Sequence, residues 1–172
     1  MEINISDTFK KIYEDESDAI FRFCLVRVSN RDQALDITQE TFLRLWKNLQ
    51  EAKEISNNKA FLFTIAHNLI IDWYRKKKSI SLEGITENDE EQFDLIDKNT
   101  TNHMELGAEG RYVLDKINEL TPNHRTPVYL RFVEDLSPRE IGKILQISTN
   151  AASVRINRGL EELRKITGYS NI

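Results

Sequence analysis

The chain has 172 residues and a net charge of −4, and its length has room for one ordinary domain or two small ones. It contains a single cysteine, so an intrachain disulfide is excluded. No stretch approaches the roughly 20 apolar residues that span a bilayer, so we expect a cytoplasmic protein without membrane insertion. Residues 1–85 carry 13 basic and 13 acidic side chains, residues 86–110 carry 1 and 8, and residues 111–172 carry 10 and 7. Because the acid is concentrated in one stretch, the flanking segments can still present basic faces to nucleic acid.

The apolar residues recur at helical spacing almost throughout, which predicts an all-α protein. A first helix is expected to start near Ser6, to bury Cys24, and to be followed by a break at Ser29-Asn30. The next segment, DQALDITQETFLRLWKNL, predicts an amphipathic helix. Its predicted core stripe consists of Leu35, Thr38, Phe42, Leu45 and Leu49.

A third helical segment, AFLFTIAHNLIIDWYRKKK, is more aromatic than one buried face requires. Aromatic and basic residues interleave from 59 to 78, a composition that suits a strand of unstacked bases, since rings stack on bases and cations bind the backbone. The alternative is that Trp73 belongs to the core and that the lysine run is a solvated helix end. The sequence leaves both interpretations open. The aromatic and basic residues in question are Phe61, Phe63, Trp73, Tyr74, Arg75, Lys76, Lys77 and Lys78.

Residues 79–102 are rich in Ser, Asn, Thr, Asp and Glu, which predicts a flexible acidic linker. Further along, LSPREIGKILQISTNAASVRINRGLEELRKI predicts a short helix opened by Ser137-Pro138, a turn at 146–148 and a longer helix. This is the helix-turn-helix pattern, whose second helix enters a major groove. Thr149, Asn150, Ser153, Asn157 and Arg158 lie off its apolar stripe, and Arg155 is placed for a phosphate. The alternative is a solvated helix face in a structural bundle.

A catalytic site is not expected. Asp36 and Glu40 share a helix face, but His67 and Asp72 are five residues apart and so point to different sides of the next helix. His103 and His124 are isolated and are expected at the surface. Phosphate loops, nucleophile elbows and CxxC pairs are absent from the sequence. We therefore predict no enzyme, no catalytic residues, no metal and no cofactor.

Three segments together resemble the extracytoplasmic-function (ECF) sigma factors of the sigma-70 family. DITQETFLRLWKN is similar to the core-polymerase-binding helix of sigma region 2, and AFLFTIAHNLIIDWYRKKK resembles the helix that melts and reads the minus-ten element. The segment from Leu120 to Lys165 resembles sigma region 4, which reads the minus-thirty-five element. The resemblance implies a region 2 domain at 1–80, a linker at 81–104 and a region 4 domain at 105–172.

The resemblance also implies partners and site residues. The expected partners are promoter DNA, an anti-sigma factor, and RNA polymerase core, through the clamp helices of its largest subunit and the flap of its second subunit. The residues matched to polymerase docking are Asp36, Gln39, Glu40, Phe42, Arg44 and Leu45. Those matched to the minus-ten strand are Lys59, Phe61, Asn68, Asp72, Arg75 and Lys76. Those assigned to the minus-thirty-five duplex are Thr149, Asn150, Ser153, Arg155, Asn157 and Arg158.

Region 4 departs from the family pattern near the recognition helix. Asn150, Ala151 and Ala152 stand where Gly, Thr and Val are usual, and Leu160 followed by two glutamates replaces a frequent basic residue. Fewer cations predict weaker nonspecific DNA affinity. Gly142 replaces an alanine and is expected to allow close packing. The alternative function is a conventional helix-turn-helix regulator that acts on duplex DNA without polymerase.

Overall fold

The computed structural model describes residues 4–80 and 107–168, and every regular element in these ranges is a helix. The all-helical prediction is confirmed for this part of the chain. The predicted linker 81–104 and His103 lie outside it, and the domain boundaries stay predictions. In chain order the helices are α1 Ile5–Val28, α2 Arg31–Gln50, α3 Asn58–Ile80, α4 Ala108–Asn118, α5 Pro122–Phe132, α6 Pro138–Leu145 and α7 Thr149–Thr167.

Helices α1, α2 and α3 form the first bundle, because each contacts the other two. Its centre is apolar: Leu45 and Leu62 are fully buried, and Phe23 packs edge-on against Phe63 with ring centroids 5.2 Å apart. The prediction that Cys24 is buried is confirmed. Burial raises the pKa of its thiol to about 12, so the group stays protonated and unreactive near neutral pH.

Both ends of α1 lie where the sequence predicts them. The helix begins at Ile5, in agreement with the predicted start near Ser6, and its cap is Asn4, whose Oδ1 accepts a hydrogen bond from the Ser6 amide at 3.0 Å. Asparagine caps a helix as well as serine does, so Asn4 satisfies the first free amides. The predicted break is confirmed: Ser29 adopts φ 53°, and Asn30 caps α2 by accepting from the Gln33 amide at 2.9 Å.

Helices α4 to α7 form the second bundle, in which α6 and α7 make the predicted helix-turn-helix. Ser137 and Glu140 form a reciprocal capping box that begins α6. Gln146 ends α6 in the left-handed conformation at φ 56°, and Ser148 then caps α7. A Cβ added to Gly142 would lie 2.9 Å from the backbone oxygen of Ile147, so a glycine fits this turn closely.

Gly159 sets the distance between α5 and α7. A Cβ at this position would lie 2.4 Å from Cγ2 of the fully buried Val128 and 3.1 Å from Cβ of His124. Because the β-branched valine has little rotamer freedom in a helix, it cannot simply turn away. The crossing of α5 and α7 therefore depends on the absence of a side chain at residue 159.

We expect Gly159→Val to lower the free energy of unfolding by about 1–3 kcal/mol, because it overpacks this crossing. Thermal and urea unfolding, followed by circular dichroism, would measure the loss. The double variant Gly159→Val with Val128→Ala should recover part of it, since the second change removes the atoms that clash. Two losses that simply add would show that Val128 does not limit the approach of the helices.

The two bundles pack against each other, chiefly through α3 and α6. Phe23 of the first bundle contacts Tyr129 of the second, with ring centroids 5.8 Å apart. Helix α3 thus has neighbours in both bundles. Phe63 and Ile70, which fall outside its main apolar stripe, are both fully buried.

Candidate polymerase and nucleic-acid interfaces

The exposed face of α2 carries most of the residues matched to polymerase docking. Asp36, Gln39 and Arg44 are exposed, and half-buried Glu40 accepts a hydrogen bond from Arg44 Nε at 2.8 Å. Phe42 and Leu45 are buried in the first bundle, where they hold the helix in place and present no side-chain surface. The structure thus brings four of the six predicted docking residues onto one solvent-facing stripe.

Two leucines extend this face and were missed from the sequence. Leu43 is 54% exposed, and Leu35 is 39% exposed. Assigning Leu35 to the core stripe was wrong, because the buried stripe begins one residue earlier, at Ala34, and continues through Thr38 and Thr41. Large apolar side chains exposed among polar ones are typical of protein interaction surfaces. We call the set Leu35, Asp36, Gln39, Glu40, Leu43 and Arg44 the α2 face.

On α3, three of the residues matched to the minus-ten strand lie together. Asn68, Asp72 and Arg75 line one open cleft of about 510 Å³, and Arg44 of the α2 face contributes to the same cleft. Arg75 Nη1 lies 3.9 Å from Asp72 Oδ1 in an exposed ion pair. An amide, a carboxylate and two guanidinium groups offer donors and acceptors to base edges and cations to phosphates.

The remaining residues matched to the minus-ten strand are more dispersed. Lys76 is exposed, whereas Phe61 is half-buried against the core. Lys59 lies on another side of α3, where its Nζ is 3.6 Å from Oε2 of Glu134 in the second bundle. The cleft therefore does not include Lys59, Phe61 or Lys76.

The aromatic residues of α3 divide into two groups. Phe63 is fully buried and cannot stack on a base without unfolding of the bundle. Trp73 and Tyr74 are half-buried and contact each other with ring centroids 4.8 Å apart, and Lys77 lies over the Trp73 ring at 5.1 Å. Tyr74 donates its hydroxyl hydrogen to the backbone oxygen of Arg27. Much of the aromatic content of α3 thus serves packing, since Trp73 and Tyr74 are also partly buried against the core.

His67 is a buried histidine beside this cleft. Burial and the nearby Arg27 guanidinium lower the pKa of its imidazole to about 3, so the ring is neutral at physiological pH. Its Nδ1 has no hydrogen-bond partner among the described residues. Within residues 4–80 and 107–168, no three His, Cys, Asp or Glu side chains are grouped as a metal site would require.

The recognition helix α7 presents its polar residues to solvent. Thr149, Asn150, Asn157 and Arg158 are exposed, and Ser153 donates a hydrogen bond to the Thr149 backbone oxygen at 3.0 Å. Val154 is 38% exposed on the same helix, where it presents an apolar group of the kind that contacts a thymine methyl in the major groove. Arg155 instead lies with Arg27 and Arg75 in a cleft of about 100 Å³ between the two bundles.

Glu162, one of the acidic departures from the family pattern, has a structural role. Its Oε1 accepts hydrogen bonds from the amide and the hydroxyl of Thr121 at 2.8 Å, and its Oε2 lies 2.8 Å from His124 Nδ1. Burial raises the pKa of this carboxyl, but the hydrogen bonds from His124 and Thr121 outweigh it and hold the pKa below its usual value. His124 is thus half-buried and paired, so the prediction of an isolated surface histidine is wrong.

Comparisons with known proteins match both halves of the chain. Residues 12–80 match the sequence model of Sigma-70 region 2, and residues 117–165 match that of Sigma-70, region 4. The chain is 32% identical to the ECF RNA polymerase sigma factor SigW of Bacillus subtilis, over 92% of this chain and 88% of that protein. It is 26% identical to SigX of the same species, over 94% of this chain and 84% of that protein.

A solved structure has the same fold. The sigma factor RpoE from Bartonella quintana, in its complex with the anti-sigma factor NepR, superimposes with a TM-score of 0.69 at 20% identity, covering 95% of this chain and 99% of that one. A search of the described helices finds none with the length and hydropathy of a membrane span. The matches to both sigma regions in order, with the identity to SigW over most of both chains, show that this chain belongs to the ECF sigma factors of the sigma-70 family.

Proposed function

We propose that this sigma factor directs RNA polymerase core to promoters through three separate surfaces. The α2 face docks on the clamp helices of the largest polymerase subunit, the Asn68 cleft captures the melted minus-ten strand, and α7 enters the minus-thirty-five major groove. Region 4 also binds the flap of the second subunit. The factor works in the cytoplasm, catalyses no reaction and needs no cofactor. The observation that carries the proposal is the grouping of Asn68, Asp72 and Arg75 in one open cleft beside Arg44.

At the minus-ten element, the Asn68 amide is proposed to pair with the edge of a base turned out of the stack. Arg75 and Lys76 bind the backbone of the same strand, and Phe61 and Lys59 contribute after rearrangement, because they lie outside the cleft. Unstacking costs a few kcal/mol, which docking on polymerase helps to offset. Melting therefore depends on the polymerase complex.

At the minus-thirty-five element, Arg158, Asn157 and Asn150 are exposed on the groove-facing helix and are proposed to read base edges. Thr149 and Ser153 contact base edges or the backbone, and Arg155 binds a phosphate once it leaves the cleft between the bundles. An anti-sigma factor is proposed as a further partner, because the complex of RpoE with NepR supports such pairing for a protein of this fold.

The test is transcription in vitro with bacterial core polymerase on genomic promoter fragments. We expect the wild-type protein to give promoter-specific starts, and Asn68→Ala and Arg158→Ala each to lower them by about tenfold, the range that one lost base contact represents. Lys165→Ala is the matched control, because this exposed cation lies in the last turn of α7.

The proposed function fails if the protein neither binds core polymerase nor redirects it to promoters. A footprint of the free protein on duplex DNA would then favour the conventional helix-turn-helix regulator.

A further inference from the structure

The cleft of about 100 Å³ between the bundles is lined mainly by cationic and polar side chains. Three guanidinium groups reach it from three helices: Arg27 from α1, Arg75 from α3 and Arg155 from α7. His67 of α3 lines the same cleft. None of the described residues that line it is acidic. We call this cavity the arginine cleft, and its other polar lining residues are Asn123 and Thr126.

Arg27 is the buried cation of the arginine cleft. It is 4% exposed, and its Nη1 donates a hydrogen bond to the Thr126 hydroxyl, which orients the guanidinium group. A cation makes the surrounding potential positive, and its effect is strong where water is excluded. The neighbouring imidazole shows this effect, because burial and the Arg27 charge together lower the pKa of His67 to about 3. A position that disfavours a further cation in this way favours an anion.

His67 supplies a buried ring nitrogen to the same cleft. The residue is 8% exposed, and its Nδ1 makes no hydrogen bond with any described residue. Because nearly all buried polar atoms in folded proteins are hydrogen-bonded, a buried ring nitrogen of this kind at a cavity indicates a partner that the cavity would hold. In the neutral imidazole either ring nitrogen can carry the hydrogen. With the hydrogen on Nδ1, the ring donates to an anion in the cleft.

The other two guanidinium groups give the cleft more hydrogen-bond donors than acceptors. No described carboxylate forms an ion pair with the half-buried Arg155. The Arg75 side chain is 69% exposed, and its ion pair with Asp72 is long, at 3.9 Å. Each guanidinium group carries its N–H donors in a planar fork, which suits the several oxygens of a phosphate group. The volume of the cleft is several times the roughly 10–15 Å³ that one water needs, so there is room for a tetrahedral anion.

We propose that the arginine cleft binds a phosphate dianion, either free inorganic phosphate or the terminal phosphate of a nucleotide. Arg27 and Arg155 bind its oxygens from α1 and α7, and His67 donates to it from Nδ1. Arg75 contributes as an exposed cation at the same cleft. The inference goes beyond the proposed function, because phosphate binding needs neither polymerase nor promoter DNA.

Thermal unfolding of the full chain would detect binding. Sodium phosphate should raise the midpoint of unfolding above its value in sodium chloride of equal ionic strength, because a ligand that binds only the folded state stabilises that state. Isothermal titration calorimetry with inorganic phosphate would then give the affinity of the wild-type protein and of the variants.

Arg155→Gln should lower the phosphate affinity by about tenfold or more, since it removes charge-assisted hydrogen bonds to the anion. Arg75→Gln should weaken binding in the same direction, and because that side chain is 69% exposed, this second variant guards against a folding defect in the first. Arg139→Gln is the matched control, because this exposed arginine of α6 lies outside the arginine cleft.

Nitrogen NMR of the histidine rings would locate the anion. The His67 signals should shift as phosphate is added, whereas those of His124, which pairs with Glu162 outside the cleft, should not. Adenosine diphosphate is the second probe: tighter binding than phosphate identifies a nucleotide as the source of the phosphate group, and equal or weaker binding identifies free phosphate. The proposal is overturned if phosphate and chloride act alike and the His67 signals stay fixed. It is also overturned if Arg155→Gln and Arg139→Gln have equal affinities for phosphate.

Discussion

Leu43→Asp is expected to lower the affinity of the protein for core polymerase by at least about tenfold, because it places an unpaired carboxylate in a protein interface. Leu43 is 54% exposed and lies next to Arg44 at the C-terminal end of the α2 face, one turn after Gln39 and Glu40. Since the side chain makes little contribution to the core, the free energy of unfolding should change by no more than about 0.5 kcal/mol.

Co-purification or anisotropy titration with core polymerase would measure this affinity. Val113→Asp is the matched control: Val113 is an apolar residue of α4 that is 46% exposed, and it lies outside the α2 face. Equal affinities for wild type and Leu43→Asp would exclude the α2 face as the docking surface. Weakening by both variants would point to a general effect of added negative charge.

Local signals in the sequence predicted the helices well. The opening of α6 at Ser137-Pro138 and the break at Ser29-Asn30 depend on neighbouring residues, so pattern alone identifies them. The start of α1 was expected near Ser6 and lies at Ile5, with Asn4 as the cap, because two good caps lie within one turn of each other. Such choices depend on small differences in free energy that a short sequence pattern does not reveal.

The site was harder to predict because exposure depends on helix phase and on packing between distant segments. Because the buried stripe of α2 was counted from Leu35 instead of Ala34, the exposed Leu35 was assigned to the core. The resemblance to the family, in turn, assigned the buried Phe42 and Leu45 to polymerase docking. Arg155 shares the recognition helix with Arg158, yet it lies in the cleft between the bundles. A contact between α3 and a helix some 60 residues later leaves no periodic signal in either segment.

The aromatic residues of α3 illustrate this limit and lead to the largest expected effect on stability. From the sequence, Phe63 suits either base stacking or packing. In the structure it is fully buried against Phe23, which in turn contacts Tyr129 of the second bundle. Phe63→Ala should therefore lower the free energy of unfolding by about 3–5 kcal/mol, because it removes a large side chain and leaves a cavity.

Urea unfolding followed by circular dichroism would measure this loss. Phe132→Ala makes the same chemical change at a side chain that is 52% exposed, and it should cost no more than about 0.5 kcal/mol. A stacking role predicts a different result for Phe63→Ala: unchanged stability, with a loss of about 1–3 kcal/mol in the binding of the melted strand. Because Phe63 packs against Phe23 of α1, a loss of stability with unchanged strand binding would assign this ring to the core.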